Sequence, residues 1–162
     1  QNQYPHKWLT RDYGTFGPDG LTTTPTPHHS TDEPNPLFFA SDPKLVAAAE
    51  TVAEAIKIGA VAGKDGPRMP KIRKGIIVTG DAFIASAAKT KDLVDKFKAD
   101  AVEMEGGAVA QVCYQQNVPF IVIRSISDNA DESAHVDLAA FYKTAAINSA
   151  TFVAALVGAS GK

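Results

Sequence analysis

The chain has 162 residues, is 44% hydrophobic and 21% charged, and carries 16 basic against 18 acidic residues for a formal net charge of -2. That composition supports one globular domain with a core of its own and argues against a disordered or fibrous protein. The two signs of charge are interspersed, which gives no electrostatic footprint for nucleic acid or an anionic membrane, and no apolar run is long enough to span a bilayer, so a small molecule is the expected partner.

Residues 1–40 are rich in Pro, Thr, Gly and His and read as turns and irregular chain, Phe16 to Gly20 and Thr24 to His29 most plainly. Compact domains rarely keep more than about 15 residues of structureless connection, so a segment of this length suggests a lid, a partner contact or a stretch whose packing neighbour is elsewhere. His28 and His29 are adjacent and diverge in direction, with no third ligand at helical or hairpin spacing, so no metal site is expected. The chain begins at Gln1 without an initiator Met and without a signal-peptide succession. The expectation is a processed or truncated form, from which a leader or a whole N-terminal region has been removed, and localisation stays open between cytoplasmic and exported.

Ser41-Asp42-Pro43 opens a helix, since a capping side chain precedes a proline whose missing N–H costs nothing in the first turn. Leu45, Ala48, Ala49, Val52, Ala53 and Ile56 form its inward stripe, with Lys44, Glu50, Glu54 and Lys57 on the wet side, and a loop from Gly59 to Pro70 follows. Lys74 to Gly80 is a β-branched run between glycines and reads as a buried strand. Thr90 is expected to cap a helix over Lys91 to Lys98, with Leu93, Val94 and Phe97 inward, before a short strand at Ala101 to Glu105. A helix over Gly106 to Gln116 turns Ala110 and Cys113 inward; Cys113 is the only cysteine and reads as a packed thiol with no assigned function. A third strand is expected at Phe120 to Ile126. Asp137 then caps a last helix running to about Val157, with Leu138, Phe141, Ala145, Phe152 and Leu156 as core contacts. Alternating strands and helices imply parallel pairing through right-handed crossovers, which sends the loops after all three strands to one sheet edge, where ligands bind.

Those loops contain Gly80-Asp-Ala-Phe-Ile84, Val102-Glu-Met-Glu-Gly106 and Arg124-Ser-Ile-Ser-Asp-Asn-Ala-Asp131. Together, in this order, they resemble the signatures of the purine nucleoside phosphorylase and nucleosidase superfamily, and most of all the 5'-methylthioadenosine/S-adenosylhomocysteine nucleosidases. The likeness covers about Asp42 to Val157. It implies a three-layer α/β/α fold with a mixed, largely parallel sheet, of which residues 41–162 are the C-terminal part of a single domain and the N-terminal part is missing. It also implies hydrolysis of the N-glycosidic bond of an adenine nucleoside, with no cofactor and no metal.

Asp128 resembles the family's acid at purine N7. A proton there turns a poor leaving group into a neutral one, and general acid catalysis of this kind is worth typically 10² to 10⁴-fold. A carboxylate that merely caps the following turn is the competing reading. Glu105 resembles the ribose anchor, since an ionised carboxylate accepts hydrogen bonds from both vicinal hydroxyls and faces the positive charge that develops on the sugar. Glu103 and Met104 belong to the same substrate-binding motif, Met104 under the ribose. Phe83 matches a position that stacks on the base, Ile84 one whose main chain reads the adenine edge, and Ser127 one that hydrogen-bonds around the base. Arg124, as a buried guanidinium, and Asp131 would support the loop.

The chain departs from the family in lacking a water-activating glutamate and a phosphate-binding loop, in its long Pro- and Thr-rich start, and in placing Leu138 where many relatives put an aromatic. Two alternatives follow: a phosphorylase using phosphate, or a non-catalytic nucleoside-binding or storage relative. A third, Mg²⁺-dependent phosphoryl transfer, lacks a phosphate cradle. A homodimer, or association with a missing N-terminal portion, is expected because an isolated half-sheet exposes strand edges.

Overall fold

The computed structural model describes residues 38–62, 66–130 and 138–160, the side chains of 138–140 excepted. The irregular segment through residue 37, His28, His29, Asp131, the Asp137 cap and the packing of Leu138 lie outside the described residues. In chain order the elements are α1 (Pro43–Ala55), β1 (Ile77–Thr79), α2 (Ala87–Phe97), β2 (Ala101–Glu103), α3 (Gly106–Gln115) and α4 (Leu138–Ser160). β1 and β2 pair. The Ala101 amide donates to the Ile76 carbonyl at 3.2 Å and the Gly80 amide to the Glu103 carbonyl at 3.1 Å, a register that rises together along both strands and is therefore parallel.

By spatial contact the chain divides into two units; among the described residues one holds 38–42, 78–83 and 103–122, and the other holds 43–62, 66–77, 84–102, 123–130 and 138–160. In the first, α3 ends on a Schellman motif: the Val118 amide reaches the Cys113 carbonyl at 2.8 Å and the Asn117 amide that of Tyr114 at 3.1 Å. Asn117 takes the left-handed conformation this requires, with φ 53°. Ala110 is buried and Cys113 only half-buried. The Phe39 and Tyr114 rings pack with centroids 5.5 Å apart.

In the second unit α1 packs on α4. Val52 is buried, Leu45, Ala48, Ala49, Ala53 and Ile56 are half-buried, and the four charged positions are exposed, as the stripe requires. Phe141, Ala145, Phe152 and Leu156 line the buried side of α4, and Val61 joins Phe141 and Ala145 in one cluster. Asn148 stands in the same row and is buried, its side-chain amide pairing with both peptide groups of Gly59 at 2.9 and 2.8 Å. The loop at 59–70 is closed by an antiparallel bridge between Val61 and Arg68.

Three expectations are corrected. Helix α2 begins a turn earlier than a Thr90 cap would set, with Ser86 at the N-cap position, so Thr90 lies inside the helix; Val94 is exposed rather than inward. No strand forms at Phe120 to Ile126. An apolar run becomes a strand only when a neighbour completes its ladder, and among the described residues the one backbone bond shown from this run joins the Phe120 carbonyl to the Asp42 amide at 2.8 Å.

Candidate functional site

In the first unit the ends of both strands meet the first turn of α3. Four amides open any helix without intrahelical partners, and here a buried acid answers for two of them. The Glu103 carboxylate accepts from the Gly106 amide at 2.6 Å, the Glu105 amide at 3.1 Å and the Thr79 hydroxyl. The Gly107 amide in turn donates to Thr79 Oγ1 at 2.7 Å. A negative charge in this position also suits the positive end of the helix dipole. Gly107 is close-fitting: a Cβ there would lie 2.8 Å from Thr79 Cβ and displace that side chain from its bonds. Glu103 is thereby committed to holding the turn that carries Met104 and Glu105. Glu105 occupies the N-cap position without a side-chain cap bond and is exposed, its carbonyl accepting from the Ala108 and Val109 amides. Met104 and Phe83 are 43% and 51% exposed, open enough to receive a ligand's apolar faces.

In the second unit the Asp128 carboxylate is half-buried and held at both oxygens. Oδ1 accepts from the Ala130 amide at 2.8 Å and Oδ2 from the Ser127 hydroxyl at 2.5 Å. Ala130 sits in the left-handed region with φ 53°, where a side chain is disfavoured. Its carbonyl is fixed by the Ser86 amide at 3.1 Å and the Thr90 hydroxyl at 2.7 Å. Ile84 is buried. Ser125 shares a hydroxyl bond of 2.7 Å with Ser149 on α4. Arg124 is exposed, against the expectation of a buried guanidinium: it leaves the apolar run just where the chain turns polar.

Thr79, Ser86, Thr90 and Ala130 were not legible as parts of the site from their residue types. The usable signal was position alone, since each lies within or just beside one of the signature segments or the helix that follows it. An open groove of about 470 Å³, lined by Ala53, Ile56, Met69, Pro70 and Ile72 among others, contains none of the expected site residues. Among the described residues no group of His, Cys, Asp and Glu could hold a metal ion, and no helix is long and apolar enough to cross a membrane.

The chain matches the phosphorylase superfamily over residues 10–158. It is similar to a 5'-methylthioadenosine/S-adenosylhomocysteine nucleosidase of Exiguobacterium sp., 41% identical over 122 residues that cover 75% of this chain and 48% of that protein. It is also similar to the aminodeoxyfutalosine nucleosidase of Helicobacter pylori, 48% identical over 86 residues, or 53% of this chain and 37% of that protein. The solved structure of a 5'-methylthioadenosine/S-adenosylhomocysteine nucleosidase from Colwellia psychrerythraea 34H in complex with adenine superposes with a TM-score of 0.64 at 35% identity, covering 77% of this chain and 48% of that one. The helices and parallel strands thus have the α/β fold of these nucleosidases, and the chain spans about half the length of the curated relatives it matches.

Proposed function

The chain belongs to the phosphorylase superfamily, and from that premise we propose that it serves hydrolysis of the N-glycosidic bond of an adenine nucleoside of the 5'-methylthioadenosine or S-adenosylhomocysteine type, with residues 41–162 as the C-terminal part of one nucleosidase domain. The observation that carries this reading is the Asp128 carboxylate. Its Oδ1 accepts from the Ala130 amide and its Oδ2 from the Ser127 hydroxyl, which holds the carboxyl group in one orientation. A positioned acid of this kind, aimed at N7, neutralises the departing purine as the bond to the sugar breaks.

Glu105 accepts the ribose 2'- and 3'-hydroxyls and opposes the positive charge on the sugar, with Met104 beneath the ring. Glu103 serves substrate binding through the turn it holds. Phe83 stacks on the base, Ile84 reads the adenine edge through its main chain, and Ser127 bonds near the base while orienting Asp128. Arg124 and Asp131 support the loop. Water rather than phosphate is the nucleophile; the relatives' names, nucleosidases, support this. The test is adenine release from 5'-methylthioadenosine in phosphate-free and phosphate buffers. Equal release in both is expected, and release that requires phosphate would replace hydrolysis with phosphorolysis.

The partner beyond the substrate is a second copy of the chain or the N-terminal portion of the fold. Val109 and Val112, more than half exposed on α3, support an association that covers them.

A further inference from the structure

We propose that Thr90 is a positioning residue for Asp128, acting through the backbone of Ala130. Threonines inside helices ordinarily turn their hydroxyl back to the carbonyl four residues earlier. Thr51 does so to Ala47 at 3.1 Å and Thr151 to Ile147 at 2.8 Å. Thr90 does not: its hydroxyl donates across 40 positions of sequence to the Ala130 carbonyl at 2.7 Å, although its own amide keeps the helical bond to Ser86 at 3.0 Å.

The recipient explains the departure. Ala130 holds a left-handed backbone that alanine rarely adopts, and such a conformation persists only where the surroundings fix it. Two donors do so from the start of α2, the Ser86 amide and the Thr90 hydroxyl, both on the one carbonyl. With the left-handed backbone of Ala130 held from its carbonyl side, its N–H meets Asp128 Oδ1 at 2.8 Å and helps set the rotation of the carboxyl group, hence the direction in which Oδ2 faces. Helix α2 thereby aims the acid without touching it. The consequence for turnover rests on the reading of Asp128 as the acid at N7; the geometric link does not.

The experiment compares the full chain with Thr90→Val, which keeps the shape and removes the hydroxyl, Thr90→Ala, which removes the hydroxyl without the crowding of a branched apolar group, and Thr90→Ser, which restores it. Amide exchange at Ala130 reads the link without any activity, with the Gly59 amide held by Asn148 as internal reference. Thr90→Val and Thr90→Ala are expected to speed exchange at Ala130 by about tenfold or more and leave Gly59 unchanged, with Thr90→Ser near wild type. On 5'-methylthioadenosine they should lower kcat by about tenfold with KM within about twofold, because a misaimed acid slows the chemical step more than it weakens binding. Unchanged exchange at Ala130, or a loss of hydroxyl that raises KM and leaves kcat intact, would overturn the proposal. A wild-type chain that releases no adenine would count against the proposed hydrolysis instead, and the exchange result alone would then decide whether Thr90 positions Asp128.

Discussion

Asp128 and Glu103 show how similar carboxylates are given different work by their surroundings. Glu103 is 8% exposed and accepts from two amides and a hydroxyl, so its charge is spent on the first turn of α3. Glu103→Gln replaces one acceptor oxygen by a donor facing those groups. It should lower stability by about 1–3 kcal/mol, measured by urea denaturation, the cost typical of leaving a buried polar group unmatched. Glu105 is exposed and makes no side-chain cap bond to α3. Its replacement by Gln should leave stability within about 0.5 kcal/mol, as surface changes usually do, and lower kcat/KM for 5'-methylthioadenosine by roughly 10- to 100-fold, the value of a hydrogen bond to a charged group. If both variants lost stability alone, Glu105 would be a structural residue like its neighbour. The sequence carried both acids in one motif and could not separate them, because separation depends on which one the amides of the following helix face.

The helices were the most readable elements. Spacing of three and four residues gave the stripe of α1 and the row of α4 that contains Phe141, Ala145, Phe152 and Leu156, since a period near 3.6 is fixed by helix geometry whatever surrounds it. Asn148 falls in that same row and was not read as core, because a polar residue among apolar ones is explained only by a distant partner, here the peptide groups of Gly59. Asn148→Ala should therefore cost about 1–3 kcal/mol, and Phe152→Ala about 3–5 kcal/mol through the cavity it leaves. Both are read as shifts in the denaturation midpoint. The run at Phe120 to Ile126 failed for the opposite reason: strand formation requires a neighbour, and composition says nothing of whether one is at hand. The Thr90 cap failed because a helix start is set by backbone geometry, and Ser86 offers it first.

At the scale of the molecule, three short motifs were enough to suggest a superfamily that also matches over residues 10–158. Their order and spacing are specific even where each alone is weak. A chain that spans about half of its curated relatives, and shows Val109, Val112, Tyr142 and Ile147 more than half exposed, should bury some of that surface by association. Light scattering should then give a mass of at least twice 17.1 kDa, or a mass raised by a co-purifying N-terminal portion. A stable species at 17.1 kDa would count against association.

The proton delivered by Asp128 is the step on which the functional account depends. Rapid-mixing measurement of adenine release from 5'-methylthioadenosine by the wild type and Asp128→Asn, each saturated with substrate, tests it most directly. An amide keeps the shape and has no acidic proton to give, so the account predicts that binding survives while release slows by about 10²-fold or more. A variant that releases adenine within about twofold of the wild-type rate would contradict it, and would leave Asp128 as a residue that shapes the turn at Ala130.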